Sequence, residues 1–169
     1  MTFMLDPQSQ LAQVSNIQFR ELEESDMEFL QELYATTRAA ELAMLPWSDE
    51  QKNEFVQMQF EAQHGFYQEQ FADSEFWILE RAGLKLGRLY LDRRENEFRI
   101  VDISLMPNFQ GMGLGSQILK AVMADAQSQQ LPVTIHVEKN NPAMKLYKRL
   151  GFELIEDQGV YDLMQWKAT

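Results

Sequence analysis

Gln110-Gly111-Met112-Gly113-Leu114-Gly115-Ser116 is the stretch on which the fold turns. Residues 98–106 before it read as a strand, and after it Leu114, Ile118, Leu119, Val122 and Met123 recur as one helical stripe. A strand that runs into closely spaced glycines and then a helix aims several unpaired backbone N–H groups at one spot, at the positive end of the helix dipole. Phosphate suits such a spot. The two common phosphate fingerprints fail, however. No Lys followed by Ser or Thr comes after the last glycine, and Ser116 stands where a dinucleotide fingerprint needs Gly. ATP, GTP and NAD are therefore disfavoured, and an ATP-linked kinase with them. The other reading of the segment is a plain strand-to-helix turn that uses glycine for close packing.

The surrounding pattern is that of an α/β domain. Ile17, Phe19 and Glu21 alternate as a short strand, and Ser25 is positioned to cap an amphipathic run with Phe29, Leu30, Leu33 and Tyr34. Pro46 and Trp47 end that run. Ser48 with Gln51 three residues on starts a second helix over residues 49–71, which Gly65 could bend. Strand-like runs follow at 76–80, 84–92 and 98–106, then the glycine turn and its helix, then a β-branched strand at 133–137. Residues 142–150 form a short helix that Gly151 terminates, and 152–155 and 161–166 close the chain as strands. The order β-α-α-β-β-β-α-β-α-β-β predicts one mixed sheet with helices on both faces. Residues 1–14 show no sustained period and are expected to be a loose extension, with a single domain over 15–169.

Composition narrows the function. The 169 residues include no cysteine, so disulfides, thiolate metal sites and cysteine nucleophiles are excluded. No apolar run reaches the roughly 18 residues of a membrane span, and nothing near the start reads as a secretory leader, so a cytoplasmic protein off the membrane is expected. The net charge of −11 is unevenly placed. Residues 1–75 hold Arg20, Arg38 and Lys52 against fifteen acids, a balance of −12, while 76–169 are at +1. Such a chain is a poor partner for nucleic acid, whose phosphates need a basic footprint.

A second motif lies at 140–152, where Asn140, Ala143, Leu146, Tyr147, Gly151 and Phe152 stand in Asn-x-x-Ala-x-x-Leu-Tyr-x-x-x-Gly-Phe. On a helix, Ala143, Leu146, Tyr147 and Leu150 share one face, which turns the Tyr147 phenol towards the sheet and the glycine turn. By itself such a tyrosine is a packing residue as readily as a functional one. Together with Gln110, Gly113 and Gly115 in a Gln/Arg-x-x-Gly-x-Gly/Ala pattern, the motif resembles the GNAT superfamily of acetyl-CoA-dependent N-acetyltransferases. The resemblance extends over nearly the whole chain in element order, and over residues 1–75 in topology only.

That resemblance implies a coherent site. The strand before the glycine turn would splay from the next parallel strand, and acetyl-CoA would insert its pantetheine arm there, pairing with backbone at Leu105 and Met106. Gln110, Gly111, Met112, Gly113, Leu114, Gly115 and Ser116 would hold its pyrophosphate, with Asn140, Ala143 and Tyr147 on the facing wall. Tyr147 matches the position that protonates the departing thiolate. Without a cysteine, direct attack of an amine on the thioester is the economical route, and an amine of pKa near 10 needs a base or a water chain. Asp102 is the base candidate on the strand, with Glu97 less direct; Asp102 reads equally well as a structural acid paired with Arg99 or a backbone amide.

The acceptor is expected to be a small primary amine. The first two helices carry Glu28, Glu32, Glu41, Asp49, Glu50, Glu54, Glu61 and Glu69 with Trp47, Phe55, Phe60, Phe66 and Tyr67, a set suited to a cation, or else merely a solvated face. His64 reads as a partly exposed structural residue and His136 as a hydrogen-bonded core residue. Two distant histidines give no metal site. The rival function is a non-catalytic acyl-CoA-binding module of the same fold. Either a monomer or a homodimer fits.

Overall fold

The computed structural model describes residues 4–169. In chain order they form β1 (Gln18–Glu21), α1 (Met27–Ala43), α2 (Asp49–Gln70), β2 (Glu75–Arg81), β3 (Leu84–Arg93), β4 (Phe98–Leu105), α3 (Leu114–Ser128), β5 (Val133–Glu138), α4 (Met144–Arg149), β6 (Glu153–Gln158) and β7 (Tyr161–Trp166). The expected order is reproduced. The strands build one sheet in the order β1-β2-β3-β4-β5-β7-β6, and β4 with β5 is its parallel pair.

Each face of the sheet has its own core. On one face α3 and α4 pack Leu114, Ile118, Leu119, Val122 and Tyr147 against Trp77, Leu89, Leu91, Ile100 and Ile135. On the other, α1 and α2 pack Leu30, Tyr34, Leu42, Val56 and Phe60 around Ile78. Alternation along the strands separates these two sets, as the period of two requires.

Local chemistry explains the helix starts. Ser48 Oγ accepts from the Gln51 N–H at 3.1 Å while Gln51 Oε1 accepts from the Ser48 N–H at 2.9 Å, the expected capping box. Gly65 neither bends nor splits α2, because about 1 kcal/mol of lost propensity is small against the packing of Val56 and Phe60. Ser25 is not the cap of α1. That place goes to Asp26, which is fully buried and accepts from the Glu23 N–H at 2.8 Å and from Arg20 and Lys85 at 2.8 and 2.7 Å.

Residues 4–14 correct the expectation of a loose extension; Met1, Thr2 and Phe3 lie outside the described residues. A single turn of helix at Gln10–Gln13 buries Leu11 completely in the α3 core. Asp125 on α3 fastens it, accepting from Ser9 Oγ at 2.5 Å and the Gln10 N–H at 2.6 Å, and Arg93 joins at 3.1 Å. The segment is polar and aperiodic, yet one apolar residue and one buried carboxylate suffice to dock it.

Candidate active site

The sheet opens where the glycine turn begins. Parallel pairing between β4 and β5 covers Phe98 with Val133, Arg99 with Thr134 and Ile100 with Ile135, and then stops. Beyond that point β4 pairs with β3 alone and β5 with β7 alone, so a wedge opens between them. The register of β4 also slips here: Leu91 faces Ile100 and Tyr90 faces Asp102, leaving Val101 as a bulge. The bulge decides where Asp102 points. Ile100 and Ile103 both lie on the α3 side, so Asp102 is turned to the α1–α2 side.

The wedge is lined with free donors. Met106 donates its N–H to Leu86 O at 2.8 Å and is thereby committed to β3. Of the two backbone positions expected to pair with a ligand, Met106 therefore has no N–H to give. Successive residues of a strand point to opposite edges, so the Leu105 N–H and C=O look into the wedge. Gln110 Nε2 donates to that carbonyl at 2.9 Å, which folds the glycine turn over the mouth. Gly113 caps α3 with φ 82° and Gly111 has φ 75°, left-handed values that glycine adopts without steric cost. The first helical bond of α3 runs from the Gln117 N–H to Gly113 O, and among the described residues the N–H groups from Gly111 to Ser116 find no partner. A Cβ built on Gly111 or Gly113 meets no atom within 4 Å. The cradle is thus open and its donors converge, as a diphosphate requires.

Tyr147 forms the opposite wall. Its ring is 4% exposed and packs edge-on against Phe152 at 5.8 Å, while its hydroxyl has no hydrogen-bond partner among the described residues. Burial, seconded by the charge of Asp102 across the wedge, holds the phenol well above its ordinary value of 10. It remains a proton donor at any working pH. Asn141 Oδ1 accepts from the Ala143 N–H at 2.8 Å in the turn that leads into α4. Asn140 is exposed and faces a groove of about 480 Å3 with Arg38, Glu41, Glu138 and Tyr161, on the α1 side of the wedge.

Asp102 has a denser environment than its sequence neighbours suggested. Arg88 Nη2 donates to it at 2.8 Å, Tyr67 Oη at 3.1 Å and Ser104 Oγ at 2.8 Å. Its partner is Arg88 on β3 rather than Arg99, whose Nε donates to Thr134 and whose Nη1 lies 3.1 Å from His136 Nδ1. Arg88, 3% exposed, also donates to Gln63 at 2.9 Å. Sequence reading named Tyr67 only among the aromatic residues of the acceptor helices and missed Gln63 and Arg88; a buried arginine in an apolar strand was the available signal. His136 is exposed, with Arg99 Nη1 3.1 Å from its Nδ1, and so is not a core residue.

The eight acids of α1 and α2 are all exposed, and of these Glu41 and Glu32 line grooves. No cluster of three or more metal-ligating side chains occurs among the described residues, and no helix there is long and apolar enough to cross a membrane.

Residues 19–152 match the family model described as acetyltransferase (GNAT) family. The chain belongs to the GNAT acetyltransferases. Solved structures of the same fold include the PaiA N-acetyltransferase of Thermoplasma acidophilum in complex with coenzyme A, 17% identical, with 89% of this chain and 98% of that one aligned at TM-score 0.67. Ard1 of Thermoplasma volcanium is 18% identical over 91% of this GNAT chain and 99% of its own at TM-score 0.61. An acetyltransferase of Thermus thermophilus is 16% identical over 91% and 98% at TM-score 0.62. No curated protein sequence matches the chain significantly.

Proposed function

We propose that this GNAT protein transfers the acetyl group of acetyl-CoA directly to a primary amine of a small cationic acceptor. The observation that carries the reading is the wedge between β4 and β5, with the free N–H groups of 111–116 at its mouth and the unpartnered Tyr147 hydroxyl on its wall. Acetyl-CoA supplies an activated acyl group on a sulfur that leaves as thiolate. The N–H groups of the glycine turn hold the diphosphate, the Leu105 N–H steadies the thioester carbonyl, and Tyr147 gives its proton to the sulfur. Both oxygens of Asp102 already accept hydrogen bonds, so in this reading it is a positioning anion that fixes Tyr67 and Arg88 beside the acceptor and not the base.

A cationic acceptor is supported by the −12 balance of residues 1–75 and by the exposed acids of α1 and α2. The test is release of CoA thiol over a panel of amines at several ionic strengths. Cationic amines should be the best acceptors, and their KM should rise with salt as screening shortens to about 8–10 Å. Acetyl-CoA binding without thiol release on any amine would make the protein a non-catalytic acyl-CoA-binding module instead.

A further inference from the structure

Unpaired positive charge collects beside the glycine turn, in a chain whose net charge is −11. Residues 103–124 and 139–152, which hold the turn, most of α3 and all of α4, contain no acid. Within them Lys120 on α3 and Lys145, Lys148 and Arg149 on α4 are exposed. Among the described residues none of the four gives its charged group an ion pair or hydrogen bond. The arginines of the sheet, by contrast, are held by carboxylates: Arg88 by Asp102, Arg93 by Glu75 and Asp125, Arg94 by Asp92. The dipole of α4 favours a cation in its last turn, where Lys148 and Arg149 stand, but accounts for neither Lys145 nor Lys120.

Helix geometry decides which of the four meet the turn. Ser116 and Lys120 are one turn apart on α3, so their side chains share a stripe turned away from buried Ile118 and Val122. Leu146 on α4 touches the start of α3, since a Cβ built on Gly115 lies 4.0 Å from Leu146 Cδ2. Arg149 and Lys145 lie about 60° and 100° round α4 from Leu146, on the side away from Tyr147 and the wedge. Lys148 lies about 160° round and faces away from α3. The outer junction of α3 and α4 is therefore bordered by Lys120 on one side and by Arg149 and Lys145 on the other, with the glycine turn at its end.

We infer that Lys120, Lys145 and Arg149 form a subsite for a phosphate monoester next to the diphosphate cradle, and that it selects coenzyme A over the form lacking the ribose 3′-phosphate. The inference rests on the reading of residues 111–116 as the cradle for acetyl-CoA. In that molecule the diphosphate joins the pantetheine arm to a ribose that bears the 3′-phosphate. With the arm inside the wedge, the ribose leaves the cradle on the outer side, where the two helices meet. A phosphate monoester carries a charge of about −1.5 to −2 at pH 7, and cations without protein partners can meet it without first breaking an ion pair. Arg149 can face two of its oxygens at once, and the lysines act as point charges.

The experiment is calorimetry of acetyl-CoA and of acetyl-3′-dephospho-CoA on wild type, on the double variant Lys120→Ala/Arg149→Ala and on Lys148→Ala. Wild type should bind acetyl-CoA about tenfold more tightly than the dephospho form, and the gap should narrow as salt rises. The double variant should bind acetyl-CoA only as well as the dephospho form, its affinity for the latter staying within about twofold of wild type. Lys148→Ala removes the same charge from the same helix and should keep the whole preference. All of these side chains are exposed, so thermal melts of the variants should match wild type. Equal affinity of wild type for the two forms overturns this inference alone, as does a preference that survives in the double variant or is lost equally in Lys148→Ala. If wild type binds neither form, the acetyl-CoA reading on which the inference rests falls instead.

Discussion

The Tyr67 hydroxyl donates to Asp102 Oδ2 at 3.1 Å, joining the helical layer to the sheet at the bulge where β4 leaves β5. The contact makes the acceptor wall depend on a carboxylate that also neutralises a buried arginine.

Removing either partner should therefore have unequal consequences. Asp102→Asn strands the buried Arg88 charge and should cost about 3–5 kcal/mol, whereas Tyr67→Phe loses one charge-assisted hydrogen bond, about 1.5–3 kcal/mol. Urea denaturation measures both. A positioning role further predicts that Tyr67→Phe raises the acceptor KM more than it lowers kcat.

Tyr147→Phe keeps the ring against Phe152 and removes the proton. Stability and acetyl-CoA affinity should hold while kcat falls by about 10²-fold, since thiolates are good leaving groups and water can replace the phenol in part. Because the phenol is held above 10, the wild-type rate should show no alkaline limb from this group below that pH. A turnover equal to wild type would make the phenol a packing residue.

Gly113→Val and Gly115→Ala should separate binding from packing. At φ 82° a side chain on residue 113 is strained and points into the open cradle, so affinity for acetyl-CoA should drop more than tenfold in the folded variant. A Cβ on residue 115 turns inward and only touches Leu105 and Leu146 at 4.0 Å. Calorimetry should find its affinity within about threefold of wild type, if the N–H groups rather than the bare glycines hold the diphosphate.

Leu11→Ala should destabilise by about 2–5 kcal/mol, the range for a fully buried leucine, and a denaturation curve within error of wild type would return the segment to the status of an appendage.

Asp26 predicts acid sensitivity. Burial alone would raise its pKa, but hydrogen bonds from Arg20, Lys85 and the Glu23 N–H hold it well below the ordinary 3.8. Its folded value being depressed, the carboxylate contributes in full above about pH 4 and its contribution disappears as pH falls through the folded value. Asp26→Asn should be less stable than wild type at pH 7, and the gap should close as the pH is lowered below 4.

Much of this architecture is legible in the chain because its decisive signals are local. The glycine turn and the Asn140 to Phe152 motif each occupy consecutive residues, and their chemistry follows from one turn of helix. What escapes is non-local. The bulge at Val101 exists only in the register of β4 against β3, and simple alternation does not reveal it. Asp102 chooses Arg88 over the nearer Arg99 for the same reason. Leu11 is buried by a helix whose anchoring Asp125 lies 115 residues beyond Gln10.

The three-residue ladder from Phe98–Val133 to Ile100–Ile135 also has a kinetic meaning. β2, β3 and β4 are joined as consecutive hairpins, and β6 to β7 likewise, so these parts can form from contacts near in sequence, whereas β1 meets β2 only across α1 and α2. Among the described strands the β4–β5 seam is the parallel junction, reached only after α3 has crossed over, and a crossover is slower to close than a hairpin. Pulse-labelled hydrogen exchange during refolding should therefore protect the β2–β3 amides before those bridging β4 and β5. The wedge is thus, for the folding chain, a later stitch than the hairpins on either side of it.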